Sequence, residues 1–346
     1  MIKAAVKSYT LNFAQPAGTS RGVYKTRKSW FVILRSADKV GVGECAPLPN
    51  LSCDDIVNYE EVLVAFCRRI EEGTLLFSEL ASYPSMLFGI ETALRDLQST
   101  NHTLWDTPFT RGEHGITING LVWMGTHDFM LEQIDAKIEK GFRCLKLKVG
   151  AIDFEQELDL IRHIRMRYAK SDLTIRLDAN GGFSESDALE KLHLLSVFDI
   201  HSIEQPIKAG NAEAMASLVA KTPIPIALDE ELIGVNTLSR KQMLLDAINP
   251  HFIILKPSLH GGIVGSTEWI EEADKRHVGW WITSALESNV GLNAIAQWTA
   301  SLGVAKPQGL GTGMLFTNNF TSPLYIMGDE LRYGMPCGWN LSELVK

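Results

Sequence analysis

The sequence predicts an α/β protein, a TIM-like (β/α)7β barrel with an N-terminal α+β capping domain that the C-terminal tail completes. Short apolar strands alternate with amphipathic helical segments from Gly115 onward, which is the pattern of a parallel barrel. Strands followed by helices precede that region, as in a compact α+β unit. Charged residues also recur at intervals of about one strand–helix unit, at the ends of apolar strands.

Composition restricts the class of protein. The chain has 346 residues, 45% hydrophobic and 21% charged, with a formal net charge of −8. This is ordinary globular composition, and a negative chain without a long basic run argues against nucleic-acid binding. No apolar run approaches the roughly 20 residues that span a bilayer, and the start lacks the apolar core of a signal peptide. Five cysteines without metal-site spacing indicate reduced thiols, so we expect a cytoplasmic protein without membrane or nucleic-acid partners.

The first 110 residues, 1–110, are predicted to form the capping domain. Its predicted elements are three strands and two helices, at 2–14, 29–36, 39–46, 54–72 and 84–99. The segment 17–29 is polar, contains glycine and is rich in Arg and Lys. We expect it to be a mobile loop that covers a negatively charged ligand, and a plain solvated connection is the alternative.

Residues 111–313 are predicted to form the barrel. Its eight strand candidates are at 116–122, 144–150, 173–180, 200–206, 224–230, 251–258, 278–288 and 307–313. Helical stretches separate them, for example at 153–170 and 262–277. The remaining tail, 314–346, is irregular and too long for a loop, so we expect it to return to the capping domain.

The segment 144–150, CLKLKVG, is predicted to be a strand whose two lysines share one face. Lys146 and Lys148 point one way, and the apolar residues around them point the other. Two buried ammonium groups oppose each other's charge, so we expect one to release its proton more easily than a solvated lysine. Such a lysine can act as a base near neutral pH. An edge strand with two solvated lysines is the alternative.

Lys148 is also the first of five charged residues that are each about one strand–helix unit apart. It is followed, at intervals of 30, 26, 25 and 27 residues, by Asp178, Glu204, Asp229 and Lys256. The ends of barrel strands converge at one mouth. Three carboxylates there repel each other unless a cation lies between them, and oxygen-only ligation favours Mg²⁺ first and Mn²⁺ next. Each carboxylate alone could be a helix cap or a surface residue, but three in register favour a metal site.

Two lysines on opposite sides of a carboxylate trio suit proton abstraction next to a carboxylate group. A divalent cation can hold both oxygens of the substrate carboxylate while one lysine removes the adjacent carbon-bound proton. The cation then stabilises the enediolate, and the second lysine donates a proton, removes one or holds the leaving group. A barrel that binds a metal and a carboxylate without turnover is the alternative, and the lysine pair argues against it.

The motif order KLKVG, RLDAN, EQP, ALDE, LKPS resembles the enolase superfamily, in its muconate-cycloisomerase-like subgroup. The resemblance covers the whole barrel and the α+β unit before it. Within the subgroup, three segments resemble the o-succinylbenzoate synthase family most closely, GECAPLPNLS (43–52), LKPSLHGG (255–262) and TSALESNVGLN (283–293). The related dipeptide epimerases and N-acylamino acid racemases keep the same five charged residues.

The resemblance implies a role for each site residue. Lys148 would be the base that abstracts the α-proton, Lys146 would tune its charge, and Lys256 would place its ammonium over the face of the intermediate. The implied metal ligands are Asp178, Glu204 and Asp229. The implied supporting and substrate-contacting residues are Lys146, Arg176, Asn180, Glu230 and Ser284.

The implied reaction is the Mg²⁺-dependent dehydration of 2-succinyl-6-hydroxy-2,4-cyclohexadiene-1-carboxylate to 2-succinylbenzoate, in menaquinone biosynthesis. This substrate is a small carboxylate, and its succinyl carboxylate would suit the basic segment 17–29. The alternative on the same scaffold is a dipeptide epimerase or an N-acylamino acid racemase. In racemisation both lysines exchange protons from opposite faces, whereas dehydration requires only Lys148 to do so.

Overall fold

The computed structural model describes residues 1–19, 22–150, 152–334 and 337–345, and its chain begins with a three-stranded antiparallel sheet. The strands are β1 (Lys3–Thr19), β2 (Gly22–Ser36) and β3 (Lys39–Cys45). The middle strand, β2, pairs with both neighbours. Two helices, α1 (Tyr59–Glu72) and α2 (Pro84–Gln98), follow. Helix α2 packs closely on β3, since a Cβ on Gly43 would lie 1.9 Å from the carbonyl oxygen of Gly89.

The expectation of a loop over 17–29 is wrong for residues 17–19, which end β1, and for residues 22–29, which begin β2 and pair with β1 in a long hairpin. The inward side chains there are Arg27 and Ser29, both buried, so the strand lacks the apolar alternation that marks a strand in a sequence. Arg27 donates to the carbonyl oxygens of Pro47 (2.8 Å) and Ala46 (2.5 Å). Residues 20 and 21, which also belong to the predicted loop, lie outside the described residues.

A short strand, β4 (Ile116–Thr117), leads into a seven-stranded parallel sheet in sequential order. Its strands are β5 (Gly120–Val122), β6 (Cys144–Lys148), β7 (Thr174–Asp178), β8 (Ser202–Glu204), β9 (Ile226–Leu228), β10 (Phe252–Leu255) and β11 (Gly279–Ile282). The helices that alternate with them are α3 (His127–Glu139), α4 (Phe154–Arg165), α5 (Ala188–Ser196), α6 (Ala212–Val219), α7 (Leu238–Ile248), α8 (Gly262–Lys275) and α9 (Asn289–Ser301). None of the described helices is long and apolar enough to span a bilayer.

The eighth strand position closes the ring through two residues. Gln308 forms a parallel bridge with Ile118, before β5, and Gly309 forms one with Thr283, after β11. Gly309 permits this approach, since a Cβ there would lie 2.4 Å from the hydroxyl oxygen of Thr283. The predicted (β/α)7β barrel is therefore confirmed, and its C-terminal strand ends converge at one mouth.

The tail of the chain contacts both preceding parts. Strands β12 (Leu324–Met327) and β13 (Glu330–Tyr333) form a small sheet with β4. Before them, Phe316 bridges to Phe13 of β1. A last short helix, α10 (Ser342–Val345), packs Leu344 in an apolar cluster with Phe31 and Val42 of the N-terminal sheet.

Candidate active site

The barrel register brings the predicted charged residues to one level. Lys148, Asp178 and Glu204 are the last residues of β6, β7 and β8. The strand register pairs Lys148 with Asp178, and Asp178 with Glu204. Asp229 and Lys256 each come one residue after the end of the next two strands. All five side chains therefore reach the same mouth of the barrel, as the spacing predicts.

The lysines and carboxylates alternate in a continuous set of ion pairs. Lys146 Nζ lies 2.7 Å from Asp178 Oδ2 and 2.6 Å from Glu204 Oε2. Lys148 Nζ lies 2.7 Å from the same Asp178 oxygen. On the other side of the trio, Lys256 Nζ pairs with Asp229 Oδ2 and lies 3.9 Å from Glu204 Oε1. Lys148 and Lys256 thus flank the three carboxylates from opposite ends.

Burial and the neighbouring charges raise the pKa of some side chains in this cluster and lower the pKa of others. Burial disfavours the ammonium form of Lys146, but Asp178, Glu204 and Asp229 outweigh it and raise its pKa. Burial alone would raise the pKa of Asp178, yet Lys146 and Lys148 bring it well below its usual value. Burial, reinforced by Asp178, raises the pKa of Glu204. The expected repulsion between the two lysines therefore does not ease proton release from Lys146, because the carboxylates dominate its surroundings.

Asn180 connects the base candidate to a second acidic residue. Its Oδ1 accepts a hydrogen bond from Lys148 Nζ (2.6 Å), and its Nδ2 donates to Glu230 Oε1 (3.0 Å). Its backbone has a φ of +44°, in the left-handed region that asparagine tolerates better than most residues. Asn180 and Glu230 therefore lie beside the carboxylates, where the resemblance puts them.

The carboxylate trio suits a hard divalent cation in its donor chemistry. Within the described residues, Glu204 Oε1 and Asp229 Oδ1 are buried and accept no hydrogen bond. Oxygen donors without Cys or His suit Mg²⁺ or Mn²⁺. Within the described chain, no group of three Asp, Glu, His or Cys side chains is arranged closely enough to hold one ion. Lysine ammonium groups pair with the carboxylates instead. The three carboxylates therefore fit a divalent cation in their chemistry, and this cation would compete with the lysine ammonium groups for the carboxylate oxygens.

Lys256 is held in place by its own loop. His260 is fully buried, and its Nδ1 accepts the main-chain N–H of Lys256 at 3.0 Å. Burial lowers the pKa of His260 to about 3, so the ring is neutral and can accept this bond. His260 therefore fixes the backbone from which Lys256 extends.

Two predicted residues make contacts that the resemblance does not imply. The main contacts of Arg176 lie away from the carboxylate cluster. Its guanidinium carbon lies 4.1 Å from the centroid of the Trp281 ring, and the guanidinium donates a hydrogen bond to the carbonyl oxygen of Pro307 at 2.8 Å. It fills the barrel one layer below Asp178. Ser284 does follow β11 at the mouth, but its hydroxyl is buried against that of Thr312, at 2.5 Å.

Several buried polar residues near the mouth were not predicted. Gln205 and Glu231 lie between the ends of β8 and β9, and Glu44 and Glu287 lie between the N-terminal sheet and the barrel. A signal exists for Glu44, the single acidic residue in the apolar strand 39–46. Gln205 lies in the EQP motif, but it carries no charge, and the spacing of the charged residues assigns it no role.

Known proteins share both parts of this architecture. Residues 130–327 match the family model described as enolase C-terminal domain-like, and residues 1–97 match that of the MenC N-terminal domain. The o-succinylbenzoate synthase of Desulfotalea psychrophila is 46% identical, over 93% of this chain and 96% of its own. The chain belongs to the o-succinylbenzoate synthase family of the enolase superfamily. The family predicted from the motif order is thereby confirmed.

Solved structures of similar proteins have the same fold as this chain. The crystal structure of MenC from Desulfotalea psychrophila LSv54 has a TM-score of 0.85 at 40% identity, covering 96% of this chain and 99% of that one. The epimerases are more distant. The D-Ala-D/L-Ala epimerase of Cytophaga hutchinsonii is 26% identical over 97% of this chain and 91% of its own. A substrate-liganded L-Ala-D/L-Glu epimerase from Bacillus subtilis has a TM-score of 0.80 at 21% identity, covering 98% and 99% of the two chains, and shows the fold alone.

Proposed function

We propose that the protein catalyses the Mg²⁺-dependent dehydration of 2-succinyl-6-hydroxy-2,4-cyclohexadiene-1-carboxylate to 2-succinylbenzoate, in menaquinone biosynthesis. The observation that carries the proposal is the placement of Lys148 and Lys256 at opposite ends of a buried carboxylate trio. The 46% identity to an o-succinylbenzoate synthase, over nearly the full length of both chains, supports the choice of substrate.

In this proposal Lys148 takes the proton from the carbon next to the ring carboxylate. Asp178 Oδ2 and Asn180 Oδ1 accept from its Nζ and orient it, at 2.7 and 2.6 Å. Lys148 must be neutral when it accepts the proton, and the two acceptors then stabilise the ammonium that forms. Loss of the proton and of the ring hydroxyl releases water and leaves an aromatic ring.

Asp178, Glu204 and Asp229 would hold the divalent cation, Mg²⁺ first and Mn²⁺ next. When bound, the cation supplies positive charge that stabilises the enediolate form of the substrate carboxylate. Lys256 would add a second positive charge at the opposite face. Burial opposes that charge, but Asp229 and then Glu204 outweigh burial and raise the pKa of Lys256.

The loop after β3 and the N-terminal hairpin place apolar side chains against the loops at the barrel mouth. Leu48 packs against Leu259 and Ala285, which lie in the loops after β10 and β11, and Tyr24 of the hairpin joins this cluster. Such a cover excludes water from a carbanion-like intermediate and offers an apolar wall to a six-membered ring. We propose that residues 1–110 and 314–346 act together as this cap, on a barrel of residues 111–313.

The proposed partner is a small carboxylate substrate, without nucleic acid or membrane. We propose a cytoplasmic location, which the five unpaired cysteines of the described chain support. Three of these cysteines are buried, as expected for small hydrophobic side chains.

An ultraviolet assay of the purified protein with Mg²⁺ and the cyclohexadiene substrate tests the function. We expect formation of 2-succinylbenzoate that stops when the cation is removed by a chelator. An N-acylamino acid and a dipeptide, followed by optical rotation, run alongside. Racemisation or epimerisation without any dehydration would replace the proposal with the isomerase alternative, for which the two flanking lysines are also suited.

A further inference from the structure

Gln205 connects two of the proposed cation ligands through its side chain. It follows Glu204 directly and is fully buried. Its Oε1 accepts the main-chain N–H groups of Asp229 and Glu231, both at 3.2 Å. Its Nε2 donates to the carbonyl of Ile207 and to Glu231 Oε2, both at 3.1 Å. The carboxamide thus uses both donor hydrogens and accepts twice, which is its full capacity.

The main chain of Gln205 extends this connection to the third ligand. Its N–H donates to the carbonyl of Ala227 at 2.9 Å, and its carbonyl accepts the N–H of Gly181 at 2.7 Å. Gly181 belongs to the turn that follows Asp178. One residue therefore contacts the ends of β7, β8 and β9, and each of those ends carries one carboxylate of the trio.

The backbone at Gln205 is unusual for its residue type. Its φ is +39°, in the left-handed region that disfavours side chains with a Cβ. This conformation turns the chain immediately after Glu204 and directs the carboxamide across to β9. Strained backbone held by a saturated set of hydrogen bonds is typical of pre-organised functional sites.

We propose that Gln205 is a positioning residue for the cation site, because its carboxamide sets the separation of Glu204 and Asp229. The proposal depends on the proposed function only in that the carboxylate trio binds a divalent cation. The side-chain hydrogen bonds of Gln205 go to main-chain groups and to Glu231 rather than to the carboxylates of the trio, so it acts through the backbone of Asp229 and through the turn after Glu204. Neighbouring groups that orient metal ligands typically change metal affinity by about ten- to hundredfold when they are removed.

Gln297 offers a matched control for the loss of a buried glutamine. It is fully buried on α9, and its Oε1 accepts the N–H groups of Leu104 (2.7 Å) and Trp105 (3.1 Å). Its Nε2 donates to the carbonyl of His102 (2.9 Å) and to Asn293 Oδ1 (2.8 Å). A Gln→Met change at either position removes two donated and two accepted hydrogen bonds, but only Gln205 adjoins the carboxylate trio.

The experiment compares Mn²⁺ binding by the wild type, Gln205→Met and Gln297→Met, measured by electron paramagnetic resonance of the free ion. We expect the Mn²⁺ dissociation constant to rise about ten- to hundredfold in Gln205→Met and by less than twofold in Gln297→Met. Saturating Mn²⁺ is expected to restore much of the turnover of Gln205→Met, because the lysines are unaltered. If Gln205→Met does not fold, Gln205→Asn, whose shorter side chain cannot keep both contacts to β9, takes its place with the same expected rise.

Equal Mn²⁺ affinity in the wild type and the folded Gln205 variant would overturn the positioning role. An equal loss in Gln205→Met and Gln297→Met would also overturn it, because it would indicate a general effect of destabilisation. Both outcomes leave the proposed function intact if the wild type still dehydrates the substrate. Conversely, a wild type that binds Mn²⁺ through this site without dehydration would remove the proposed substrate and keep the role of Gln205.

Discussion

At the scale of single residues, the two flanking lysines differ in their partners. Lys148 is held by an aspartate and an amide oxygen, whereas Lys256 faces Asp229 and Glu204. Contact with two carboxylates favours the charged form of a lysine, which suits electrostatic stabilisation better than proton abstraction. In the proposed dehydration Lys256 would contribute its charge, whereas in the alternative racemisation it would exchange a proton.

The Lys256→Arg variant separates these roles. The guanidinium keeps the positive charge but displaces it, so we expect dehydration to continue at a rate reduced by roughly one to two orders of magnitude. The rate of 2-succinylbenzoate formation measures this, with Lys275→Arg, at an exposed position of α8, as the control. Complete loss of dehydration in a folded variant would instead assign a proton transfer to Lys256.

Single residues also mark the limit of prediction from this sequence. The five charged residues could be predicted because one strand–helix unit separates each from the next, and strand ends in a barrel share one mouth. Arg176 shares a strand face with Asp178. The alternation of side chains along a strand predicts which face a residue occupies, but not how far along the barrel axis its side chain lies. Arg176 stacks on Trp281, one layer below the carboxylates. The proposed role of Gln205 could not be predicted, because it depends on the conformation of a turn between strands.

At the scale of elements, the strands and helices with regular apolar periodicity were predicted well. The exceptions include strands β12 and β13, in the tail expected to be irregular, and two elements that begin elsewhere because inward side chains there are polar. Strand β2 begins at Gly22 rather than near 29, with Arg27 and Ser29 turned inward. Helix α1 begins at Tyr59 rather than near 54, because Asp54 is buried against α2.

Asp54 predicts a pH dependence for the docking of α2. Its Oδ2 accepts from the N–H (2.8 Å) and hydroxyl (2.6 Å) of Ser85, and burial raises its pKa from 3.8 to about 6. At pH values between these two pKa values, the Asp54 carboxyl keeps its proton in the folded chain and has lost it in the unfolded chain. Stability therefore falls as the pH rises from about 4 to 6, by about 1.4 kcal/mol for each pH unit of pKa shift.

The Asp54→Asn variant tests this dependence, because an amide does not titrate. Unfolding temperatures measured from pH 4 to 7 are expected to fall less steeply for Asp54→Asn than for the wild type. Asp55→Asn, at an exposed neighbouring position, is expected to keep the wild-type slope. Identical slopes in all three proteins would show that Asp54 titrates as it does in the unfolded chain.

At the scale of the whole molecule, Glu44 joins the cap to the barrel. It is fully buried on β3, and its Oε1 accepts from the hydroxyl of Ser29 (2.8 Å) and the N–H of Ser288 (3.0 Å). Its Oε2 accepts from the hydroxyl of Ser288 (2.5 Å) and the N–H of Gly291 (3.0 Å), at the first turn of α9. A carboxylate from the cap thus satisfies free N–H groups of a barrel helix.

The Glu44→Gln variant tests this junction. Its amide nitrogen cannot accept, so at least one donor of α9 stays unpaired, at a cost of roughly 1–3 kcal/mol. Urea unfolding is expected to show this loss relative to the wild type. The control is Glu60→Gln, an exposed position whose carboxylate accepts from the Trp30 indole. Equal stability of Glu44→Gln and the wild type would mean that the apolar contacts alone hold the cap.

In the proposed reaction, Lys148 removes a proton beside a cation held by Asp178, Glu204 and Asp229. The most direct measurement follows turnover and 2-succinylbenzoate binding together in the Lys148→Ala variant, with Mg²⁺ present. We expect product affinity within a few fold of the wild type and turnover reduced by about 10²- to 10⁴-fold, the usual contribution of a general base. Turnover within twofold of the wild type would contradict the claim.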